Sequence, residues 1–158
     1  MANEIPFIEK QRDILLERFG LALPDLYENL KVVCGKNEGE RIFKAIAEEK
    51  FKKNLLPKIK GIDIDTLMNR EEGLSSPFDW KLKIEEKIES GEKIWYETLW
   101  NCPHLKATQK YNLPSPCEPV CYTDFWLLEK YGILKAKLVS HILEGKEGCC
   151  FRITKLNS

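Results

Sequence analysis

The sequence predicts an α+β fold: N-terminal helices, then a four-stranded antiparallel sheet arranged as hairpin, helices, hairpin and backed by helices. Three observations carry that expectation. Apolar residues recur at helical spacing over residues 1–76, the period falls to two over much of 77–158, and glycine, proline and capping residues mark the points where the pattern changes. At 158 residues the chain closes one core without cross-links, so a single domain over 1–158 is expected.

Phe7, Ile8, Ile14, Leu15, Leu16 and Phe19 form the first helical stripe, which Gly20 is expected to stop. Pro24 and Asp25 open a second through Leu26, Tyr27, Leu30, Val33 and Cys34, ended by Gly35; Ile42, Phe43, Ile46, Ala47 and Phe51 make a third before Pro57. Asp63 to Met68 suits another short helix, and Gly73, Ser75, Ser76 and Pro77 read as a loop. Trp80, Leu82, Ile84 and Ile88 then alternate with Lys81, Lys83, Glu85 and Lys87, as in a half-buried strand. The same Lys and Glu residues also suit a helix over Trp80–Ser90, which leaves two readings of that segment. Glu89–Glu92, with Gly91, supplies a hairpin turn, and Ile94, Tyr96, Thr98 and Trp100 continue the alternation into Cys102. Ser115-Pro116-Cys117-Glu118 has the form of a capping box opening a helix that runs to about Tyr131 and stops at Gly132. Leu134, Ala136, Leu138 and Ile142 alternate against Lys135, Lys137 and His141 as a third strand, and a fourth turns Cys149, Phe151 and Ile153 inward.

Lys+Arg and Asp+Glu balance at 25 each, so the chain has no global positive field to hold a phosphate backbone, and nucleic acid is not the expected partner. Met1–Lys10 has no signal-peptide pattern and no stretch is apolar enough for a membrane span, so a cytoplasmic protein is expected. There the six cysteines stay reduced, and five of them follow residue 100. Clustered thiols in that compartment point to metal binding or catalysis.

Cys117, Cys121, Asp124 and Leu128 are spaced to share one helix face, and Cys117 falls in the first turn, where free amides and the helix dipole favour an anion. Cys117 is therefore the candidate nucleophile or metal ligand, with Cys121 and Asp124 beside it. Cys102 and His104, separated by Pro103, complete a tetrahedral donor set with Cys117 and Cys121 if the chain turns at the proline. Cys149 is a further donor on the inward face of the last strand, while Cys150 faces away, Cys34 reads as core and His141 as a solvated strand residue. Trp100, Tyr122, Trp126 and Phe151 are the candidate walls of a small-molecule pocket.

A Cys-Pro pair after a strand, Cys-x3-Cys-x2-Asp on a helix and Gly-x3-Cys-x-Phe on the last strand occur here as Cys102-Pro103, Cys117, Cys121, Asp124, Gly145, Cys149 and Phe151. This C-terminal pattern resembles the L-2-amino-thiazoline-4-carboxylic acid hydrolase-like family and, more broadly, the 4-vinyl reductase small-molecule-binding domains. The resemblance implies a helix-backed antiparallel sheet, a homodimer, a ligand pocket over the sheet, and a binding or ring-opening role centred on the cysteines. Two functions are then expected. One is a small-molecule-binding domain in which Cys102, His104, Cys117, Cys121 and Cys149 supply ligands to zinc or another thiophilic divalent ion. The other is a hydrolase that opens a C–N bond of a small heterocycle, through metal-activated water or a Cys117 or Cys121 thiolate, with His104 or Asp124 moving protons. A thiol redox module is disfavoured, because Cys117 and Cys121 stand one residue too far apart for a CxxC pair.

Overall fold

Helix α1 (Glu4–Cys34) is continuous over 31 residues, where the sequence predicts a break at Gly20 and a new start at Pro24. Gly20 is there for close packing instead. A Cβ on it would lie 2.6 Å from the carbonyl oxygen of Pro103 and 2.8 Å from the Cβ of Ala107, so only glycine lets α1 meet the segment that follows the first hairpin. The computed structural model describes residues 4–74 and 80–156.

Gly35, at φ 83°, separates α1 from α2 (Lys36–Lys50), as expected. The two helices touch backbone to backbone at Gly39, and Tyr27 packs edge-on against Phe43 at 5.1 Å. A wide π-helical turn (Phe51–Leu55) and the short α3 (Leu56–Ile59) follow. Next comes α4 (Ile64–Leu74), capped where the Thr66 amide donates to Asp63 Oδ1 at 2.9 Å. It extends beyond the predicted Met68 and takes in Gly73; Ser75, Ser76 and Pro77 of the expected loop lie outside the described residues.

Strands β1 (Lys81–Glu89), β2 (Glu92–Trp100), β3 (Lys135–Ser140) and β4 (Cys149–Thr154) form one antiparallel sheet in the order β1-β2-β4-β3. Ser90 and Gly91, both at positive φ, make the two-residue turn of the first hairpin, which decides between the strand and helix readings of Trp80–Ser90. The phase of β2 differs from the predicted one. Trp95, Glu97 and Leu99 stand opposite Ile153, Phe151 and Cys149, so they share the inward face, and Ile94, Tyr96, Thr98 and Trp100 occupy the other. Ile94 is itself buried there, which is why an apolar count alone gave the wrong side.

Between the hairpins lie α5 (Pro103–Lys110) and α6 (Thr123–Lys130). α6 is entered through a second π-helical turn, Glu118–Tyr122, in which the Tyr122 amide reaches the Cys117 carbonyl at 2.9 Å. The predicted capping box does not form: Ser115 Oγ accepts from Cys117 N at 3.3 Å, and Glu118 pairs with Lys44 on α2. The predicted stop does form. Gly132 takes φ 72°, and the Ile133 amide bonds to the Leu128 carbonyl, closing the helix in a Schellman motif. Ile64 and Met68 of α4 pack with Trp95, Leu134, Phe151 and Ile153 into the core between helices and sheet.

Candidate functional site: two chambers sharing one wall

Four of the six cysteines meet. Cys102, Cys117, Cys121 and Cys149 line a cavity of about 20 Å³ together with His104, Trp80 and Ile142. That volume suits one water or one ion and excludes an organic ligand. Each thiol arrives by a separate local device. Cys102 caps α5, its Sγ accepting from the Leu105 amide at 3.4 Å, so Cys-Pro-His is a helix start rather than a turn. Cys117 and Cys121 sit at the head and within the π turn, and Cys149 faces inward from β4 opposite Leu99. All six cysteines are free thiols. Burial pushes the Cys121 thiol well up, and its repulsion with Cys102 and Cys117 acts in the same direction. Burial also raises Cys102, against the opposing pull of the Leu105 amide, and raises Cys149. Among the described residues no three His, Cys, Asp or Glu side chains stand as an assembled metal set.

His104 is fixed by a defect in α1. Pro24 has no N–H, so the carbonyl four residues earlier, that of Gly20, loses its helical donor. His104 Nδ1 lies 2.8 Å from that oxygen and donates to it. The proton on Nδ1 leaves the Nε2 lone pair of the neutral ring as an acceptor or ligand, the arrangement in which histidines hold metals. Burial lowers the His104 pKa and the bond to Gly20 opposes this, while the rings of Phe19 and Trp80 stand 4.9 and 5.3 Å away.

The second histidine is a correction. His141 is buried, at 8 % exposure, and its Nε2 lies 3.1 Å from Cys117 Sγ. The cause is a register shift in β3: Leu138 opposes Phe151 but Ser140 opposes Cys150, so β3 carries an extra residue there and the alternation inverts. The strand then ends, and Ile142 begins a 3-10 turn instead of continuing it.

Behind Cys121 a larger cavity of about 330 Å³ opens between the helices and the sheet. Phe19, Phe51, Trp80, Phe125, Met68 and Leu128 are among its walls, and Glu97 and Asp124 are its charged groups. Trp80, Leu99, Val120 and Cys121 border both cavities. The predicted helix face is therefore real: Cys117 and Cys121 look into the small chamber, and Cys121, Asp124 and Leu128 into the large one.

The predicted aromatic walls lie elsewhere. Trp100 is on the reverse face of β2 beside Gly148, and Phe151 is core, 4.5 Å from Phe125. Tyr122 and Trp126 are on the outer side of their helix, with the Lys44 and Lys130 ammonium groups over the Trp126 ring. Cys34, read as core, is exposed at the end of α1, and Cys150 faces away from Cys149. The wall residues missed from sequence were Phe19, Phe51, Trp80, Phe125 and above all Glu97, whose signal was its place in the Trp95, Glu97, Leu99 alternation.

No family profile matches the chain, and no curated protein matches it. Among the described residues no helix is long and apolar enough to cross a membrane.

Proposed function

We propose that this chain is a cytoplasmic small-molecule-binding domain of the 4-vinyl reductase type, in which the larger chamber takes the ligand and the cysteine chamber holds zinc or another thiophilic divalent ion. One observation carries the reading: an apolar cavity of ligand size, about 330 Å³, shares the Cys121 wall with a one-atom cavity of about 20 Å³ lined by four thiols and a histidine. Cys102, Cys117, Cys121, Cys149 and His104 are the available donors, soft thiolates with one neutral imidazole, which suits zinc. An ion there lowers the thiol pKa values that burial now raises. The binding half is tested by calorimetry with a neutral probe, 3-ethylindole. Saturable binding to the wild type, lost in Leu128→Trp, supports it, and binding unaffected by that variant sinks it. The metal half is tested by elemental analysis of protein purified without added metal or chelator: near one equivalent, lost in Cys117→Ser/Cys121→Ser, is expected, and its absence from freshly reduced protein removes the ion from the reading.

The 3.1 Å contact of Cys117 Sγ with His141 Nε2 favours one alternative, a hydrolase that opens a C–N bond of a small heterocycle. Here Cys117 is the nucleophile and His141 takes its proton, a role expected from residue spacing of His104 or Asp124. The two readings compete for Cys117, because a thiolate held by an ion is not a free nucleophile. Turnover of 2-amino-thiazoline-4-carboxylate by metal-free protein, abolished by Cys117→Ser with the fold retained, would favour the hydrolase.

The homodimer belongs to the same proposal, with α1 as its seam. Ile8, Gln11, Leu15, Arg18, Ala22, Asp25, Asn29 and Val32 recur three and four residues apart on its solvent side, with Ile8, Leu15 and Val32 at 60 %, 67 % and 82 % exposure. When two copies run antiparallel Ile8 meets Val32, Gln11 meets Asn29, Leu15 meets Asp25, and Arg18 lies one turn from that same Asp25. Light scattering is expected to give a dimer mass for the wild type and a monomer mass for Val32→Lys, which sets an ammonium against Ile8; a monomeric wild type rejects the seam.

A further inference from the structure

One edge of the α1 seam is flanked by more than the helix. A groove of about 500 Å³ runs along it, with Arg18, Leu21, Ala22 and Asp25 of α1 on one side and Tyr111 and Leu113, which follow α5, on the other. Arg18, Leu21 and Asp25 recur three and four residues apart, so they share one edge of the helix and stand over the same trough. Its floor is apolar and its rim charged: Leu21 and Leu113 are half-buried, whereas Arg18, Ala22, Asp25 and Tyr111 are exposed. Glu17, beside Arg18, is held within its own copy by Lys110 and Tyr111. By contrast, among the described residues the side chains of Arg18 and Asp25 have no hydrogen bond and no ion pair. Two helical turns separate them within one copy, and they do not reach each other.

Resting on the antiparallel α1 dimer proposed above, we infer that this groove is the seat of Arg18 from a second copy. The aliphatic stem of that arginine lies over Leu21 and Leu113, and its guanidinium pairs with Asp25 beside the Tyr111 ring. The two-fold axis of an antiparallel pair keeps each edge of a seam beside the same edge of its mate, so the two grooves adjoin and the contact is made twice. The register that sets Ile8 against Val32 leaves Arg18 one turn from Asp25 of the other copy, a gap its long side chain spans. Charge complementarity selects this occupant. A second copy brings a cation to Asp25 and a carboxylate to Arg18 at once, while a partner carrying one sign of charge satisfies one and repels the other. Arginine seated against an aromatic wall is also the kind of residue on which interfaces depend most. The interface accordingly extends past α1 to the segment that follows α5.

The dimer dissociation constant, read by light scattering over a dilution series, tests the contact in wild type, Arg18→Asp, Asp25→Arg, the double swap Arg18→Asp/Asp25→Arg, and Leu113→Glu. Arg18 and Asp25 are exposed, so their variants keep the fold, and thermal melting checks Leu113→Glu. Each single reversal sets like charges together twice and is expected to weaken the dimer roughly tenfold or more. The double swap exchanges the two signs and should return the constant to within about threefold of wild type. Leu113→Glu, which leaves α1 untouched, should also weaken it. Single reversals that dimerise as wild type does, a double swap no better than the singles, or a folded Leu113→Glu with unchanged affinity each overturn the groove contact. Because Val32 lies outside the groove, loss of the dimer in Val32→Lys alongside any of these leaves the seam standing. A monomeric wild type overturns both.

Discussion

The two chambers meet at Cys121 but differ in scale and in what holds them. The larger is bounded mainly by the faces of longer stretches, α1, α3, α4, α6 and the two π turns on one side and β1 and β2 on the other, and its carboxylates come from β2 and α6. The smaller is assembled from element ends: the cap of α5, the π turn before α6 and the start of β4. Space for an organic molecule is left where large apolar faces fail to close on each other, whereas an atom-sized site needs several irregular backbone features to converge. The sulfur chamber should accordingly be the more sensitive to small changes in backbone position.

The severest test of that contrast is Gly20→Ala. The new methyl meets the Pro103 carbonyl and Ala107 Cβ, neither of which swings aside as a flexible side chain does, so α1 must part from α5 and His104 must leave its acceptor. A loss of about 3 kcal/mol in urea unfolding is expected. The control is Gly132→Ala, where nothing lies within 4 Å of the added Cβ and only the positive φ is strained; it should cost about 1 kcal/mol. Equal costs would mean that the α1–α5 contact does not hold the small chamber.

The next largest effect compares two cysteines, one in the π turn before α6 and one on β4. Cys121→Ser places a hydroxyl in the wall between the chambers and should cost about 2 kcal/mol, while Cys150→Ser, on the other face of β4, should stay within about 0.5 kcal/mol. Similar values for both would deny Cys121 its buried setting. A milder probe is the order in which thiols react with a maleimide, followed by mass spectrometry of peptides. Cys34, exposed on α1, should label first and Cys121, whose thiol burial pushes well up, last. Early labelling of Cys121 would show the wall opening to solvent.

The extent to which all this was legible in the sequence follows the same division. Regular elements could be read from residue type, and the inward face of β4 with them, though not that of β2: the helical first half, the turn at Gly91, the inward Cys149 and the Gly132 stop all stand. What failed was set by contacts between distant segments. Gly20 and Pro24 look like helix punctuation, yet packing against α5 carries α1 through both. His141 changed sides through one extra residue in β3, which no alternation count contains, and Glu97 was hidden because Ile94, one phase away, is also buried. The gathering of Cys102, Cys117 and Cys121 was visible in their spacing, but the aromatic walls were not, since Phe19 and Phe51 come from the helical half.

The gentlest perturbation tests the latch on the larger chamber. Glu48 of α2 accepts hydrogen bonds from Lys130, at 2.8 Å, and from the Tyr131 hydroxyl, and so ties α2 to the end of α6. Tyr131 in turn packs on Phe51, a wall of that chamber, with ring centres 5.4 Å apart. The Lys130 bond first and the Tyr131 bond second hold the Glu48 carboxyl down at about 2, from an ordinary value of 4.5. A carboxyl depressed by folding stabilises above its unfolded value and loses that contribution as pH falls through the folded one. Glu48→Gln should therefore melt below wild type at pH 7, and the gap should close progressively between pH 4.5 and about 2, where wild type also carries a neutral group. The small chamber has no part in this latch, so labelling of Cys102, which lines that chamber and not the larger one, should be the same at pH 7 in Glu48→Gln as in wild type. A gap that persists unchanged at pH 2 would place the contribution of Glu48 in packing rather than charge, and faster Cys102 labelling in the variant would mean that the two chambers open together.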